Sequence, residues 1–248
     1  MNRDEEWLLN EKYLGERTED FFADCERLAH GEPLAYVIGH VPFLNTTIFL
    51  DSRPLIPRAE TEYWVSECMP LIGPTATVLD LCAGSGAIGV AVAKALPATQ
   101  IDFGEIDVQH HDTIKKNIEL NDIALSRTMV WGGDLFEKID RTYDVILANP
   151  PYIDATLNRT ESSVLDYEPH QALFANAQGL GVIERIIVDA PKHLRNTGVL
   201  IIEHEPEHTD AIKCLGEKNG FTVTTHVDQY NVLRYTILVR KESNTVSS

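Results

Sequence analysis

The sequence is short of basic residues, of cysteine and of long apolar runs, and each shortage excludes something. Lys and Arg number 21 against 38 Asp and Glu, a formal net charge of −17. Nucleic-acid binders grip phosphate with clustered Lys and Arg, so this balance argues against a nucleic-acid partner. It suits a cationic small molecule or a basic protein, although acidity also serves solubility alone. The four cysteines, Cys25, Cys68, Cys82 and Cys214, show no C-x-x-C spacing. A disulfide or zinc framework is therefore not expected, and reduced thiols in a cytoplasmic protein are. With no run of about 18 apolar residues, no membrane span is expected. The start, Met1-Asn2-Arg3-Asp4-Glu5-Glu6, lacks the basic-then-apolar order of a secretory signal. No internal repeat is visible, and the only low-complexity stretch is the polar end from Lys241 to Ser248.

What is present is an ordinary globular composition, 44% hydrophobic over 248 residues. That length accommodates one α/β domain with an N-terminal extension, or two small domains. Residues 1–30 read as a short helical head with nine acids against four bases. Trp7, Leu8, Leu9 and Leu14, then Phe21, Phe22 and Leu28, make apolar stripes on two helices. Gly31-Glu32-Pro33 breaks that pattern. Residues 31–57 read as a β-hairpin linker, with two β segments between Tyr36 and Leu50 and an extended stretch held by Pro54 and Pro57. A helix is expected from Glu60 to Met69.

From Thr77 apolar strands alternate with helices. Strands are expected at Thr77–Leu81, Gln100–Glu105, Thr128–Trp131, Tyr143–Ala148, Val199–Glu203, Thr222–His226 and Leu233–Val239. Helices are expected at Ala87–Leu96, Asp112–Asn121, Gly181–His193 and Asp210–Asn219, with Gly220 as a left-handed cap. This order predicts a mostly parallel seven-stranded sheet covered on both faces, its last strand antiparallel because only Asp228-Gln229-Tyr230-Asn231 joins the final pair. The α/β body is expected to span 58–241, with a polar tail at 242–248.

Two motifs carry chemistry. In Val78-Leu79-Asp80-Leu81-Cys82-Ala83-Gly84-Ser85-Gly86 a strand turns through glycines into a helix. Gly84 and Gly86 let backbone approach a ligand, and the helix start offers free N–H groups to a carboxylate. Asp80 could hold a ligand ammonium. Gly84-x-Gly86-x-x-Gly89 also satisfies a dinucleotide-binding pattern, so a nicotinamide cofactor must be weighed. An acid about 20 residues beyond such glycines grips a ribose diol, which selects Glu105, with Asp107 as its neighbour. Asp134 could accept from an adenine amino group with Leu135 packed on the ring, or serve as a turn or cap aspartate.

The second motif, Asn149-Pro150-Pro151-Tyr152, closes the apolar run Tyr143–Ala148 and decides between these cofactors. It delivers a planar amide, an exposed carbonyl and an aromatic ring to the carboxyl end of a strand, the edge at which open α/β sheets bind ligands. Hydride transfer does not require such a set. Methylation of a planar nitrogen does: an amide nitrogen is a poor nucleophile and must be held. The Asn149 side-chain oxygen and the Pro150 carbonyl can each accept one N–H, and Tyr152 can pack on the flat group. Positioning and polarisation would do the work, with S-adenosylmethionine as methyl donor and S-adenosylhomocysteine as product, and no metal is required.

With Gly31-Glu32-Pro33-Leu34-Ala35-Tyr36 and Gly39, Leu55-Ile56-Pro57-Arg58-Ala59-Glu60-Thr61-Glu62, the glycine turn, Asn149–Tyr152 with Ile153, and Tyr167-Glu168-Pro169 before Ala172-Leu173, the chain resembles the HemK/PrmC protein-(glutamine-N5) methyltransferases. That family modifies the glutamine of the Gly-Gly-Gln loop in peptide-chain release factors. The resemblance runs from about Gly31 to Arg240. It implies the class I S-adenosylmethionine-dependent methyltransferase fold with a substrate-binding head. Asp80, Cys82, Ala83, Gly84, Ser85, Gly86, Glu105, Asp134, Leu135 and Asn149 are the candidates for the cofactor, and Asn149, Pro150, Pro151 and Tyr152 for the glutamine. Arg58, Glu60 and Glu62 match a segment near the active site without an assigned role; Thr61 as a helix cap is an equal reading. The family's head is usually longer, Gly often stands at Cys82, a proline at Ala59, and an Asp- and Gly-containing segment at Gln229–Leu233. The expected protein is a monomeric, cytoplasmic enzyme whose partner is a release factor. Its alternatives are an enzyme acting on a ribosomal-protein glutamine, an adenine-N6 methyltransferase, and a catalytically silent binding module. Between Arg141 and Leu180 two bases, Arg141 and Arg159, face five acids, a poor rim for phosphate.

Overall fold

The computed structural model describes residues 1–154, 156 and 162–242; Arg159 and all but the first residue of the polar tail lie outside them. The head begins with α1 (Arg3–Glu11), whose N-terminus is closed by reciprocal bonds between Asn2 and Glu5. Helix α2 (Glu19–Ala29) starts at Thr18, whose hydroxyl accepts from the Phe21 N–H. A short helix α3 (Leu34–Ile38) follows and ends at Gly39, in the left-handed conformation at φ 97°. Tyr36–Ile38 is thus helical where a β segment was expected. Short apolar runs do not distinguish the two states by periodicity. Here the decision is tertiary: Val37 is buried with Leu8, Leu9 and Phe21 in a small core of the head's own.

Strands β1 (His40–Phe43) and β2 (Thr46–Phe49) form the expected antiparallel hairpin. It is fastened to the body by two asparagines one turn apart on a later helix. Asn117 exchanges hydrogen bonds with the Phe49 backbone, and Asn121 does the same with Thr47. The free edge of β2 is thereby satisfied by side chains in place of another strand.

The body opens with α4 (Ala59–Cys68). Then come β3 (Thr77–Leu81), α5 (Ala87–Ala95), β4 (Gln100–Glu105), α6 (Val108–Leu120), β5 (Thr128–Gly132) and β6 (Tyr143–Ala148). Next are β7 (Ile153–Asp154), α7 (Ser162–Tyr167), α8 (His170–Leu173), β8 (Phe174–Ala175), α9 (Gly181–His193), β9 (Leu194–Glu203), α10 (Thr209–Lys218), β10 (Phe221–Val227) and β11 (Leu233–Arg240). Helix α6 starts four residues earlier than its periodicity suggested, because Asp107 caps it through the Gln109 N–H. The pair β7–β8 was not expected; two residues are too few to carry a pattern. Gly220 takes the left-handed conformation expected after α10.

The main sheet has the order β10-β11-β9-β6-β3-β4-β5, parallel throughout except for β11. From β3 the chain progresses outward to β4 and β5, then returns to place β6 on the other side of β3. That reversal is a topological switch point, where a crevice opens at the carboxyl ends of the strands. Two buried clusters cover the sheet. One includes Trp64, Val90, Phe103 and Ile114; the other includes Ile146, Ile183, Leu200 and Phe221.

Gly89, on α5, sets how closely that helix lies on the sheet. A Cβ there would sit 2.4 Å from the Phe103 ring and 3.1 Å from the Asp80 Cβ. Gly89→Ala is expected to destabilise by about 1–3 kcal/mol through overpacking. Urea unfolding should show a lower midpoint with unchanged slope; an unmoved midpoint would mean that α5 has room to shift.

Candidate active site

In the parallel pairing of β3 and β6, Leu81 stands opposite Ala148. The residues that follow, Cys82 and Asn149, therefore leave neighbouring strands at the switch point, about 4.8 Å apart by strand spacing. The β3 turn is tightly wound: Cys82, Gly84 and Gly86 all have positive φ, at 62°, 54° and 80°. A glycine meets that conformation without strain, which makes Cys82 the unusual member of the three.

Two adjoining cavities open at this edge. The larger, about 700 Å³, is bounded by Cys82, Gly84, Glu105, Asp134, Leu135 and Asn149, among others. The smaller, about 250 Å³, is bounded by Arg58, Asn149, Pro150, Tyr152, Glu205 and His208, among others. Leu55, Asn149 and Ala172 belong to the walls of both. Asn149 thus stands where the two meet. Pro151 faces the larger cavity, and Pro150 and Tyr152 the smaller.

The glycine-turn residues divide by position. Cys82 and Gly84 face the larger cavity, whereas Ala83, Ser85 and Gly86 are buried behind it. The Ser85 carbonyl accepts from Asn117, so the clamp on β2 also holds the turn. Glu105 is 7% exposed and reaches across the turn: Oε2 accepts from the Gly84 N–H at 2.7 Å and Oε1 from the Asp107 N–H at 2.8 Å. Each oxygen keeps further acceptor capacity. Asp107, also on the wall, spends its side chain on capping α6. Asp134 is paired with Arg185 at 2.8 Å.

Asp80 departs from expectation. It is fully buried beneath α5 and is not on the wall of either cavity. Oδ2 accepts from the Gly89 N–H at 2.8 Å, while Oδ1 has no hydrogen-bond partner. A ligand ammonium has no direct path to it. Side chains alternate along a strand, and that of Asp80 points into the layer under the helix.

The segment after Pro57 acquires its roles only in three dimensions. The Arg58 guanidinium lies 2.6 Å from Glu168, whose other oxygen accepts from the Ile56 N–H. This pair joins two motifs 110 residues apart, and its Arg58 lines the smaller cavity. Glu62 accepts from the Leu44 N–H at the hairpin turn. Thr61 is not the helix cap; Arg58 occupies that position, without a side-chain bond. Instead Thr61 Oγ1 donates to Glu203 at 2.7 Å and lies 3.2 Å from Asn149 Nδ2. Glu203 also accepts from Trp64 Nε1 at 2.6 Å and from the Tyr152 hydroxyl at 2.8 Å. Burial pushes the Glu203 carboxyl above its ordinary range against those hydrogen bonds, and burial next to Glu203 pushes the Tyr152 phenol well up. No sequence argument singled out Glu203; its one visible signal is an acid ending an apolar strand.

Comparison with known proteins then bears directly on this arrangement. A release factor glutamine methyltransferase of Rhodopirellula baltica is 38% identical over 204 residues, covering 78% of this chain and 68% of that protein. One of Thermodesulfovibrio yellowstonii is 32% identical over 244 residues, covering 94% and 86%. The chain belongs to the release factor glutamine methyltransferase family. It is an S-adenosylmethionine-dependent methyltransferase, and residues 65–166 match the family model described as methyltransferase small domain. The fold agrees. A methyltransferase from Pyrococcus furiosus superposes with a TM-score of 0.63 at 17% identity, covering 89% of this chain and 99% of that one. A 16S rRNA N2 G1207 methyltransferase of T. thermophilus superposes with a TM-score of 0.56 at 17% identity, covering 82% and 50%. The larger cavity fits the family's cofactor in volume, in its close backbone approach at Gly84 and in the buried Glu105 on its wall. Among the described residues no group of three or more His, Cys, Asp or Glu is arranged to hold a metal ion, and no helix is long and apolar enough to cross a membrane.

Burial raises the Asp80 carboxyl to about 8; the Gly89 N–H opposes this and the nearby Glu105 charge adds to it. An acid whose folded pKa is raised contributes stability at low pH that is lost as pH climbs from about 4 through about 8. Asp80→Asn should remove that slope. Denaturant midpoints of wild type and variant, measured from pH 5 to 9 without cofactor, should diverge with the variant gaining at high pH. Parallel curves would show that Asp80 is already ionised in its buried position.

Proposed function

We propose that this enzyme transfers a methyl group from S-adenosylmethionine to the side-chain N5 of a glutamine in a protein, that of the Gly-Gly-Gln loop in a peptide-chain release factor. The observation that carries the proposal is Asn149 at the junction of two cavities, one fit for a nucleoside cofactor and one for a side chain arriving from outside. The names of the curated relatives support the same substrate.

Bound S-adenosylmethionine supplies an electrophilic methyl group on a sulfonium. The protein's part is to hold the acceptor. Asn149 Oδ1 and the Pro150 carbonyl each accept one N–H of the glutamine amide, which fixes the nitrogen plane and polarises it toward attack. The methylated nitrogen sheds one proton to solvent. Tyr152, held from behind by Glu203, forms a flat wall beside the amide. In the larger cavity Gly84 and Glu105 take the amino-acid and ribose parts of the cofactor, and Asp134 with Leu135 the base. Glu205 and Glu207 at the smaller cavity would repel nucleic-acid phosphate and suit a basic polypeptide. We read residues 1–30 as the head that meets this partner, 31–57 as its linker and 58–241 as the catalytic body, acting as a monomer in the cytoplasm.

The test is incubation with methyl-labelled cofactor and a mixture of release factors, ribosomal proteins and DNA, followed by mass mapping of the labelled site. Label on a release-factor glutamine is expected, and Asn149→Ala should lower turnover by about 10- to 1000-fold. Near-normal turnover in that variant would discard the role of Asn149. Label confined to DNA would replace the glutamine with adenine as acceptor.

A further inference from the structure

A primary amide is two-faced. To receive the N–H groups of an incoming carboxamide, Asn149 must present its oxygen and turn its own NH2 away. Its two orientations differ little in shape, so the neighbours must choose between them. The neighbour on the inner side is the Thr61 hydroxyl, 3.2 Å from Nδ2. A hydroxyl can donate or accept, and by itself selects nothing.

The selection comes one bond further back. Thr61 Oγ1 is 2.7 Å from Glu203 Oε2, and Trp64 Nε1 is 2.6 Å from the same oxygen. An indole N–H only donates, so that oxygen must be an acceptor. Thr61, Trp64 and Tyr152 all donate to Glu203, and those bonds favour its ionised form, which can only accept. The single hydroxyl hydrogen of Thr61 is then committed to Glu203, and only its lone pairs remain for Asn149. An NH2 can meet those lone pairs and a carbonyl oxygen cannot. The other Glu203 oxygen takes the Tyr152 hydroxyl at 2.8 Å, so one carboxylate also fixes the ring on the far side of the acceptor cavity. Thr61, Trp64 and Glu203 are 3%, 0% and 1% exposed and belong to neither cavity wall. They do not touch substrate.

We propose that Glu203 and Thr61 form a positioning relay that sets the amide polarity of Asn149 and so aims Oδ1 at the acceptor nitrogen. The inference rests on the amide-methylation reading above for its purpose, but the polarity itself is independent of which substrate arrives. Without the relay Asn149 would populate both orientations, and the wrong one would set NH2 against NH2.

The experiment combines variants at Thr61, Glu203 and Asn149 with a spectroscopic readout. Thr61→Val, which keeps shape but removes the acceptor, should lower kcat by about tenfold to a hundredfold with cofactor affinity unchanged. Thr61→Ser should recover activity to within about threefold of wild type. In an Asn149→Ala background Thr61→Val should cost nothing further, because the relay acts only through Asn149. Glu203→Gln keeps an acceptor for Thr61 and Trp64 and can offer its NH2 to the Tyr152 oxygen, so its loss should be smaller than that of Thr61→Val. Separately, in 15N-labelled protein with S-adenosylhomocysteine added, the Asn149 side-chain NH2 pair, assigned by its disappearance in Asn149→Ala, should show one hydrogen-bonded proton. Thr61→Val should shift that proton and Thr61→Ser should not. Full activity or an unshifted NH2 pair in Thr61→Val would overturn the relay, as would Glu203→Gln being the more damaging variant. Wild type that methylates no glutamine but shows the Thr61-dependent NH2 signal would remove the substrate reading and leave the relay standing.

Discussion

Parallel pairing between β3 and β6 is the constraint from which the rest follows. It sets the end of one apolar strand beside the end of another at the point where the chain reverses its direction of travel across the sheet. The helices that follow the two strands, α5 and α9, pack on opposite faces of the sheet, and a crevice opens between their connections. The glycine turn leaves one side of it and Asn149-Pro150-Pro151-Tyr152 the other. Cys82 follows directly on the paired Leu81 and Asn149 on the paired Ala148, so the site takes its geometry from the sheet. The helices, the hairpin and the head pack around that edge, and the Asn117–Asn121 clamp carries its rigidity out to β2.

The same edge is where the molecule departs from a well-behaved core. Asp80, Glu168 and Glu203 are carboxylates at 0%, 4% and 1% exposure. Burial penalises each of them, and two of the three are offset by donors drawn from distant segments. Glu168 is held by Arg58 and a backbone N–H, and Glu203 by three side chains. Asp80 has a single bond and an orphaned oxygen, and its carboxyl rises accordingly. Proteins keep such costly groups where geometry matters more than stability. Glu203 illustrates the point: it lines neither cavity, yet it ties Thr61, Trp64 and Tyr152 to one carboxyl beside Asn149.

Much of the fold was legible because its signals are local. The runs Thr77–Leu81 and Tyr143–Ala148 announce buried parallel strands by apolar content, and Gly84 and Gly86 announce the turn by backbone freedom. The position of Asn149-Pro150-Pro151-Tyr152 was legible for a different reason: it closes an apolar strand, and strand ends at the switch point border the cavities. Tyr36–Ile38 was misread because three apolar residues fit helix and strand equally, and contact with Leu8 and Phe21 decided it. Asp80 was misassigned because its place in the motif says nothing of which layer its side chain enters.

The sequence by itself determined the alternation of strands and helices, the acidic net charge and the two motifs, since periodicity, charge and turn chemistry are properties of the chain itself. The tertiary structure alone decided which polar groups meet. Arg58 finds Glu168 across 110 positions, Thr61 finds Glu203 across 142, and Asn149 finds Thr61 across 88. A hydrogen bond acts over about 3 Å and depends on how whole layers pack. Nothing in the residues between its partners records that distance.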